Sequence, residues 1–509
     1  MSEWLRFAPL AVGLALAGCA VGPDYQAPSA SLPDRYLLQA RDNAPQLTSP
    51  ESADLTQWWR TLHDRELNSL VARARESNPD LEIALDRLQE ARMLIAIAVS
   101  DALPLGEGTA GGGVGTGTDE TKGRVEGPLR AGNNAQNLRK ISETGGFDVI
   151  WELDLFGKYR RLIEARTADA EALRDAREWL VVTVVAEVVR AYLDMRAQQN
   201  LLTVLGENIR AARGSLDLAQ GRFDRGLTNE MDVALAKRQL ATLQADLRPL
   251  AAQIDASRHA ISVLLGLFPE DLAKELAKPG PMPLLPAKIP VGQPIDLLRR
   301  RPDILEAERR LAAASARIGV ATADLFPSVT LTAAGGAQGG IRSSSAVPLT
   351  LIGSIGPSLY WPLLDFGALD AQIEIANLQT HEALVAYKKV ILTAVRQVDD
   401  AISSYRAQQE RLKSLNRALA AARQATQIAT ERYDRGLTDF LNVLDAERQE
   451  FDLEARQVAA RQAAANDLVA VYKALGGGWS LDELLPPIRA PLPAAIAAVK
   501  RLAEPGPLN

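Results

Sequence analysis

The seven residues Arg222-Phe223-Asp224-Arg225-Gly226-Leu227-Thr228 recur 210 positions later as Arg432-Tyr433-Asp434-Arg435-Gly436-Leu437-Thr438. The same offset carries Trp151 onto Trp361, Phe156-Gly157 onto Phe366-Gly367 and Leu265-Gly266 onto Leu475-Gly476. Further upstream the offset grows to 223, which relates Pro79-Asp80 to Pro302-Asp303 and Pro104 to Pro327. The first copy is therefore longer by 13 residues between Pro104 and Trp151, and length differences between repeats fall in loops. The chain reads as two copies of one unit.

Each unit reads as helix, strand, loop, strand, long helix, tight turn, helix. Before the first turn Leu202, Leu205, Ile209, Ala212, Leu216, Ala219 and Phe223 step by alternating threes and fours. Leu412, Leu415, Leu419, Ala422, Thr426, Ala429 and Tyr433 do the same before the second. The return limb continues the pattern through Val233, Ala236, Leu240, Leu243, Leu247, Leu250 and Ile254. That alternation marks a narrow coiled-coil seam. Sustained on both sides of a glycine turn, it predicts antiparallel helical hairpins with limbs reaching ~100 Å at about 1.5 Å per residue. Gly226 and Gly436 suit the left-handed conformation that ends a helix, and Thr228 or Thr438 is expected to cap the next one.

Between Pro104 and Gly157, and between Pro327 and Gly367, the period changes to two. Phe147, Val149, Trp151, Leu153 and Leu155 share one parity, broken only by Ile150, and Leu349, Leu351, Ile355, Leu359, Trp361 and Leu363 share another. Strands are expected near 105–118, 143–155, 328–338 and 348–363. Alternating segments of about 9–11 residues with aromatics at one end suit transmembrane strands. Four strands cannot close a barrel, and lipid excludes an open sheet edge. A membrane-spanning reading thus requires several copies of the chain.

Few aromatics (5%) and many alanines fit long packed helices. The net charge of −6 speaks against a nucleic-acid binder. An enzyme lacks parts here: His63, His259 and His381 are scattered, and no phosphate loop or nucleophile elbow occurs. No metal or cofactor site is expected. The one cysteine, Cys19, follows Leu16-Ala17-Gly18 and an apolar run from Phe7 that is too short to span a bilayer. Residues 1–18 read as a signal peptide, and Leu-Ala-Gly-Cys resembles the bacterial lipobox, whose cysteine thiol takes a covalent lipid.

Taken together, the motifs resemble the TolC-like outer-membrane efflux factors, in the lipoprotein branch serving resistance-nodulation-division (RND) pumps. The resemblance rests on Cys19-Ala20-Val21-Gly22-Pro23-Asp24-Tyr25, Trp58-Trp59, and Trp151-Glu152-Leu153-Asp154-Leu155-Phe156-Gly157. It rests equally on Arg301-Pro302-Asp303-Ile304, Phe326-Pro327-Ser328, the Gly-Leu-Thr turns, and Tyr472-Lys473-Ala474-Leu475-Gly476-Gly477-Gly478-Trp479. It implies a mainly α fold with a small β part: a long antiparallel coiled-coil α-barrel plus four transmembrane strands per chain, shared as a 12-stranded barrel by a homotrimer. The implied organisation is a lipidated N-terminal equatorial segment (19–65), a first repeat (66–266), an equatorial linker (267–300), a second repeat (301–476) and a Pro-rich tail (477–509).

The same resemblance implies the partners: a periplasmic adaptor (membrane fusion protein), an inner-membrane RND pump and outer-membrane lipid. The adaptor is expected at the tips Gly226, Leu227, Thr228, Gly436, Leu437 and Thr438. The family's periplasmic gate maps onto Asp232 and Tyr433, an aromatic–acid bond between hairpins, and onto Asp445 as an inward acidic ring. A second acidic ring position is Asn442 here, and a gating arginine position is Thr438, with Asp434, Arg435 or Asp439 as substitutes. A type I secretion duct and a lipid-anchored periplasmic coiled coil remain the alternatives.

Overall fold

The computed structural model describes residues 20–29, 32–33, 35–37, 48–49, 55–117, 138–286, 289–342 and 345–480. The expected signal peptide, Cys19, the stretch 118–137 and residues 481–509 of the expected tail lie outside them. In chain order the main elements are α1 (Arg65–Ser77), α2 (Pro79–Asp101), β1 (Leu105–Gly117), β2 (Leu138–Leu153), α3 (Lys158–Asp224), α4 (Glu230–Ala245), α5 (Leu247–Leu264), α6 (Pro302–Ala323), β3 (Ser328–Arg342), β4 (Ser345–Tyr360), α7 (Ala368–Asp434) and α8 (Phe440–Ala474). The fold is mainly helical with a small sheet.

Local chemistry sets the boundaries. Pro79 and Pro302 open α2 and α6 at a position where a missing N–H loses nothing. The Asn78 side chain caps α2 by accepting from the Asp80 and Leu81 amides at 3.0 and 3.2 Å. α3 and α7 run for 67 residues each, ~100 Å at 1.5 Å per residue. Both stop at a left-handed glycine, Gly226 (φ 70°) and Gly436 (φ 72°). There Leu227 and Leu437 donate to the Arg222 and Arg432 carbonyls at 2.9 and 2.8 Å, the hydrogen bond that closes a helix end.

Most of the first predicted seam is buried: Leu205, Ile209, Ala212 and Ala219 of α3 pack with Val233, Ala236, Leu243 and Leu250 of the return limb. Phe223 at its end is exposed, and in α7 Leu419 and Tyr433 are buried while Leu412, Leu415, Ala422, Thr426 and Ala429 are half-buried. One expectation needs correction. The first return limb is not continuous but breaks between Ala245 and Leu247. Pro249 has no N–H to give the Ala245 carbonyl, and its ring crowds that turn. The matching position in the second half is Ala459, and α8 is unbroken over 35 residues.

The four-stranded sheet runs β1-β2-β3-β4 with every pairing antiparallel. The register places Leu105 opposite Ile150, Trp151 opposite Leu331 and Ala333 opposite Ile355. β2 starts at Leu138 rather than near 143 because its pairing with β1 continues to Gly117. β3 likewise runs past 338 to Arg342, where it pairs with Ser345 of β4. β2 ends at Leu153 rather than 155, where Asp154 turns to accept from the Tyr159 and Arg160 amides of α3. β4 runs from Ser345 to Tyr360 rather than 348 to 363, its ladder with β3 closing where Ser328 meets Tyr360. Along β4 no described residue covers the apolar side chains: Leu349, Leu351, Ile355 and Leu359 are each more than two-thirds exposed.

The main core is a belt around the middle of the helices. Trp58 stacks on Tyr472 at 4.6 Å and stands edge-on to Trp59, among Tyr36, Leu67, Leu70, Val185, Tyr192, Tyr405 and Leu468. Two motifs lock each other here. Buried Arg301 stacks over Trp179, donates to the Ala474 carbonyl at 2.9 Å and pairs with Asp303 at 2.6 Å. Gly476 (φ 73°) lies against the Arg300 carbonyl, where a Cβ would sit 2.7 Å away, and Trp479 Nε1 donates to that same carbonyl at 2.8 Å. Residues 477–479, expected to open the tail, belong to this core.

The N-terminal segment divides. Tyr36 enters the belt, but residues 20–25 run along the junction of sheet and helices. Val21 donates to the Phe156 carbonyl at 3.0 Å. Buried Arg161 donates to the Val21 and Gly22 carbonyls and pairs with Asp24 at 2.7 Å. Tyr25 donates to Glu308 at 2.6 Å. Gly319 permits this docking, because a Cβ there would meet Arg161 Cγ at 2.7 Å and the Val21 carbonyl at 2.9 Å. The variant Gly319→Ala is therefore expected to lose about 1–3 kcal/mol and to expose residues 20–28 to protease. Limited proteolysis beside a melting curve checks both; an unchanged cleavage rate contradicts the docking.

Candidate functional site at the helical tips

Two like turns, placed side by side, make an unlike pair of surfaces. Leu227 and Leu437 are both exposed at the very ends of the hairpins, with Gly226 and Gly436 beside them. The caps differ from expectation: Asn229 and Asp439, not Thr228 and Thr438, hold the N-cap positions of α4 and α8. Asn229 accepts from the Asp232 amide at 3.2 Å, which frees the Thr228 hydroxyl to donate to the Asp232 carboxylate.

Just behind the turns, side chains from both halves form one small core of Ala219, Val233, Ala236, Tyr433, Phe440, Val443 and Leu444. Tyr433 is 2% exposed and Asp232 9%. The Tyr433 hydroxyl donates to Asp232 Oδ2 at 3.3 Å, so one carboxylate oxygen receives a hydroxyl from each hairpin. Burial, and then the Asp232 charge, push the Tyr433 hydroxyl above the usual phenol range; it stays a donor. The structure thus brings together two of the four predicted gate residues. Asn442 and Asp445 lie on the exposed face of α8, where Asn442 donates to Thr438 Oγ1 at 2.8 Å. Asp434, Arg435 and Asp439 are also exposed.

Sequence reasoning missed three participants. Phe440 packs on Tyr433 at 5.2 Å; its counterpart in the first half is Glu230, and that mismatch was the available signal. Arg222 lies over the Tyr433 ring at 4.8 Å. Lower down, Glu447 of α8 is buried and accepts from Ser215 of α3. Its acidity is reduced by burial first and by neighbouring Glu450 as well, against the opposing pull of the Ser215 hydroxyl.

These elements have close relatives. The family model described as outer membrane efflux protein matches residues 70–267 and 294–477. The chain belongs to the outer membrane efflux protein family. It is 31% identical over 501 residues to nodulation protein T of Rhizobium leguminosarum bv. viciae, covering 97% of this chain and 98% of that one. The antibiotic efflux pump outer membrane protein ArpC of Pseudomonas putida is 30% identical over 474 residues, 91% of this chain and 93% of the relative. The solved outer-membrane channel OprN superposes with a TM-score of 0.79 at 37% identity, over 91% of this chain and all of OprN. As a family member this protein is an outer-membrane efflux channel component rather than an enzyme, with a large periplasmic helical portion. Among the described residues no helix is long and apolar enough to cross a membrane.

Glu447 generates a pH prediction. Its folded-state acidity is weaker than in the unfolded chain, so its contribution to stability is full below the ordinary glutamate range. That contribution is lost as pH rises through the raised folded value. Glu447→Gln keeps the acceptor for Ser215 and removes the charge. It is expected to melt above the parent at pH 8, with the difference closing towards pH 4.5; a pH-independent difference contradicts this.

Proposed function

We propose that this chain is one subunit of a homotrimeric duct that receives small molecules from a periplasmic adaptor and an inner-membrane RND pump and releases them outside the cell. The observation that carries the oligomer is a pair of unmatched flanks. On one side β1 has an open edge, and Ile83, Met93 and Ile97 of α2 stand about half exposed. On the other side β4 has an open edge, and Ile375, Leu378, Val385 and Leu392 of α7 are exposed. α3, flanked on both sides, is buried along its length, whereas α7 packs chiefly against α6 and α8. Two different surfaces on opposite flanks make a heterologous interface, which gives a ring when the rotation between copies closes. Within a bilayer the free edges have no other stable partner, and three copies give twelve strands.

In this reading Cys19 carries the lipid, next to a segment docked at the sheet–helix junction. The exposed turns 226–228 and 436–438 meet the adaptor, and the Asp232–Tyr433 contact holds the tunnel end closed. Asp445, repeated around the ring, lines the constriction with negative charge, a recognised basis of ion preference, and Asn442 supplies a neutral ring beside it. The relatives named for antibiotic and toluene export support small-molecule cargo over protein export.

Light scattering of the detergent-extracted protein, with the detergent contribution subtracted, is expected to give a protein mass near three chains of 54.9 kDa less the signal peptide. A stable monomer overturns the shared barrel and favours an anchored periplasmic coiled coil. In planar bilayers under a salt gradient the reversal potential is expected to report cation preference, reduced in Asp445→Asn. Anion preference removes the acidic constriction from the reading.

A further inference from the structure

The tip contact contains one strong interaction that the repeat does not explain. Both halves carry an arginine one residue before the aromatic of the turn motif, Arg222 before Phe223 and Arg432 before Tyr433. Their surroundings differ. Arg432 is exposed, as is Phe223. Arg222 leaves its own hairpin and engages the other at three points. Its guanidinium covers the Tyr433 ring at 4.8 Å. Its Nη1 donates to the Asp434 main-chain carbonyl at 2.8 Å. Its Nη2 lies beside Gly436, 3.5 Å from where a Cβ at that residue would stand. Among the described residues no neighbouring side chain or backbone atom comes within 4 Å of a Cβ placed on Gly226, the matching glycine of the first turn. The contact therefore runs one way, from the first hairpin onto the second.

The chemistry suits a clasp. The Asp434 carbonyl belongs to the last turn of α7, where the helix leaves acceptors unpaired and the dipole presents partial negative charge. A cation placed there satisfies the orphan acceptor. The flat face of the same guanidinium presses Tyr433 from the side, while Asp232 holds its hydroxyl. Arg222 Nε is buried and makes no hydrogen bond among the described residues, so the side chain is held by its stacking and its outer nitrogens. A lysine has no planar face and cannot make both contacts at once.

We propose that Arg222 is a positioning residue for the gate, a latch that seats Tyr433 on Asp232 and ties the end of α7 to the first hairpin, so that opening requires its release. This rests on reading the Asp232–Tyr433 contact as the closing one. Stacked cations and charge-assisted hydrogen bonds together support an effect on gate opening of about tenfold.

The test uses the full-length purified protein in planar bilayers, with mean resting conductance in potassium chloride as readout. Native-gel mobility and thermal midpoint serve as folding controls. Arg222→Ala is expected to raise resting conductance about tenfold, Arg222→Lys to leave most of that rise in place, and Arg432→Ala to match the parent. Tyr433→Phe is expected to open the channel as well, and Arg222→Ala combined with Tyr433→Phe to open it no further than the stronger single change. If Tyr433→Phe opens the channel and Arg222→Ala does not, the latch is overturned while the gate stands. Independent, multiplying effects of the two changes also overturn it, as does full rescue by lysine, which reduces the role to charge. If neither Tyr433→Phe nor Arg222→Ala alters conductance, the gate fails and the latch with it. Should Arg222→Ala fail to assemble, Arg222→Gln keeps bulk and a planar amide without charge, and the same comparisons apply.

Discussion

In the proposed duct, backbone hydrogen bonding in lipid is the constraint on which the rest of the architecture depends. A bilayer offers no water to an unpaired N–H or carbonyl, so a β1-β2-β3-β4 sheet open on both sides is incomplete as a membrane span. The same incompleteness runs down the molecule: below the open edges, α2 and α7 present apolar side chains that the chain's other described residues leave uncovered. Sheet and helices are therefore two halves of one assembly problem. The well-packed centre of the protomer, α3 with its flanking helices, is the part that needs no second copy.

Halfway along, the belt fixes where those two parts meet. Gly476 and Trp479 close on the Arg300 carbonyl, while Arg301 closes on the Ala474 carbonyl. The first half uses a related lock with different chemistry: Gly266 lies against the Ser77 carbonyl and Asn78 Nδ2 donates to the Leu264 carbonyl at 2.8 Å. In each case a left-handed glycine lets a return helix finish against the start of the helix that opens its own half. These locks account for glycines and prolines that recur at equivalent places in the chain, and they belong to packing rather than to transport.

Much of this was legible in the sequence, for reasons that can be named. Threefold and fourfold spacing marks a seam whatever the partner, so Leu205, Ile209 and Ala212 could be placed without coordinates. Period two with Trp151 and Trp361 at the strand ends located the sheet, and the turn motif located the tips. What escaped lay where the two halves differ or where contacts are made at long range. The break after Ala245 was readable from Pro249 but masked by a seam that continues across it. Thr228 resembles a cap, yet Asn229 competes better for the same amides, since its side chain reaches the Asp232 N–H at 3.2 Å. Arg222 and Glu447 look like solvated helix positions in a one-dimensional reading; only the approach of the other hairpin half-buries the first and buries the second.

The proline in one return limb and its absence from the other give the two hairpins different mechanics. α4 and α5 form a jointed arm, with the joint at Asp246 close to the middle of the limb. α8 is a single rod of 35 residues, ~50 Å long at 1.5 Å per residue, seated at its far end in the Arg301–Gly476 lock. A push on the first tip is absorbed by flexing midway along its own return limb. A push on the second is carried as leverage to the belt, so that the hairpin bearing Tyr433 is the one whose movement the middle of the molecule can feel.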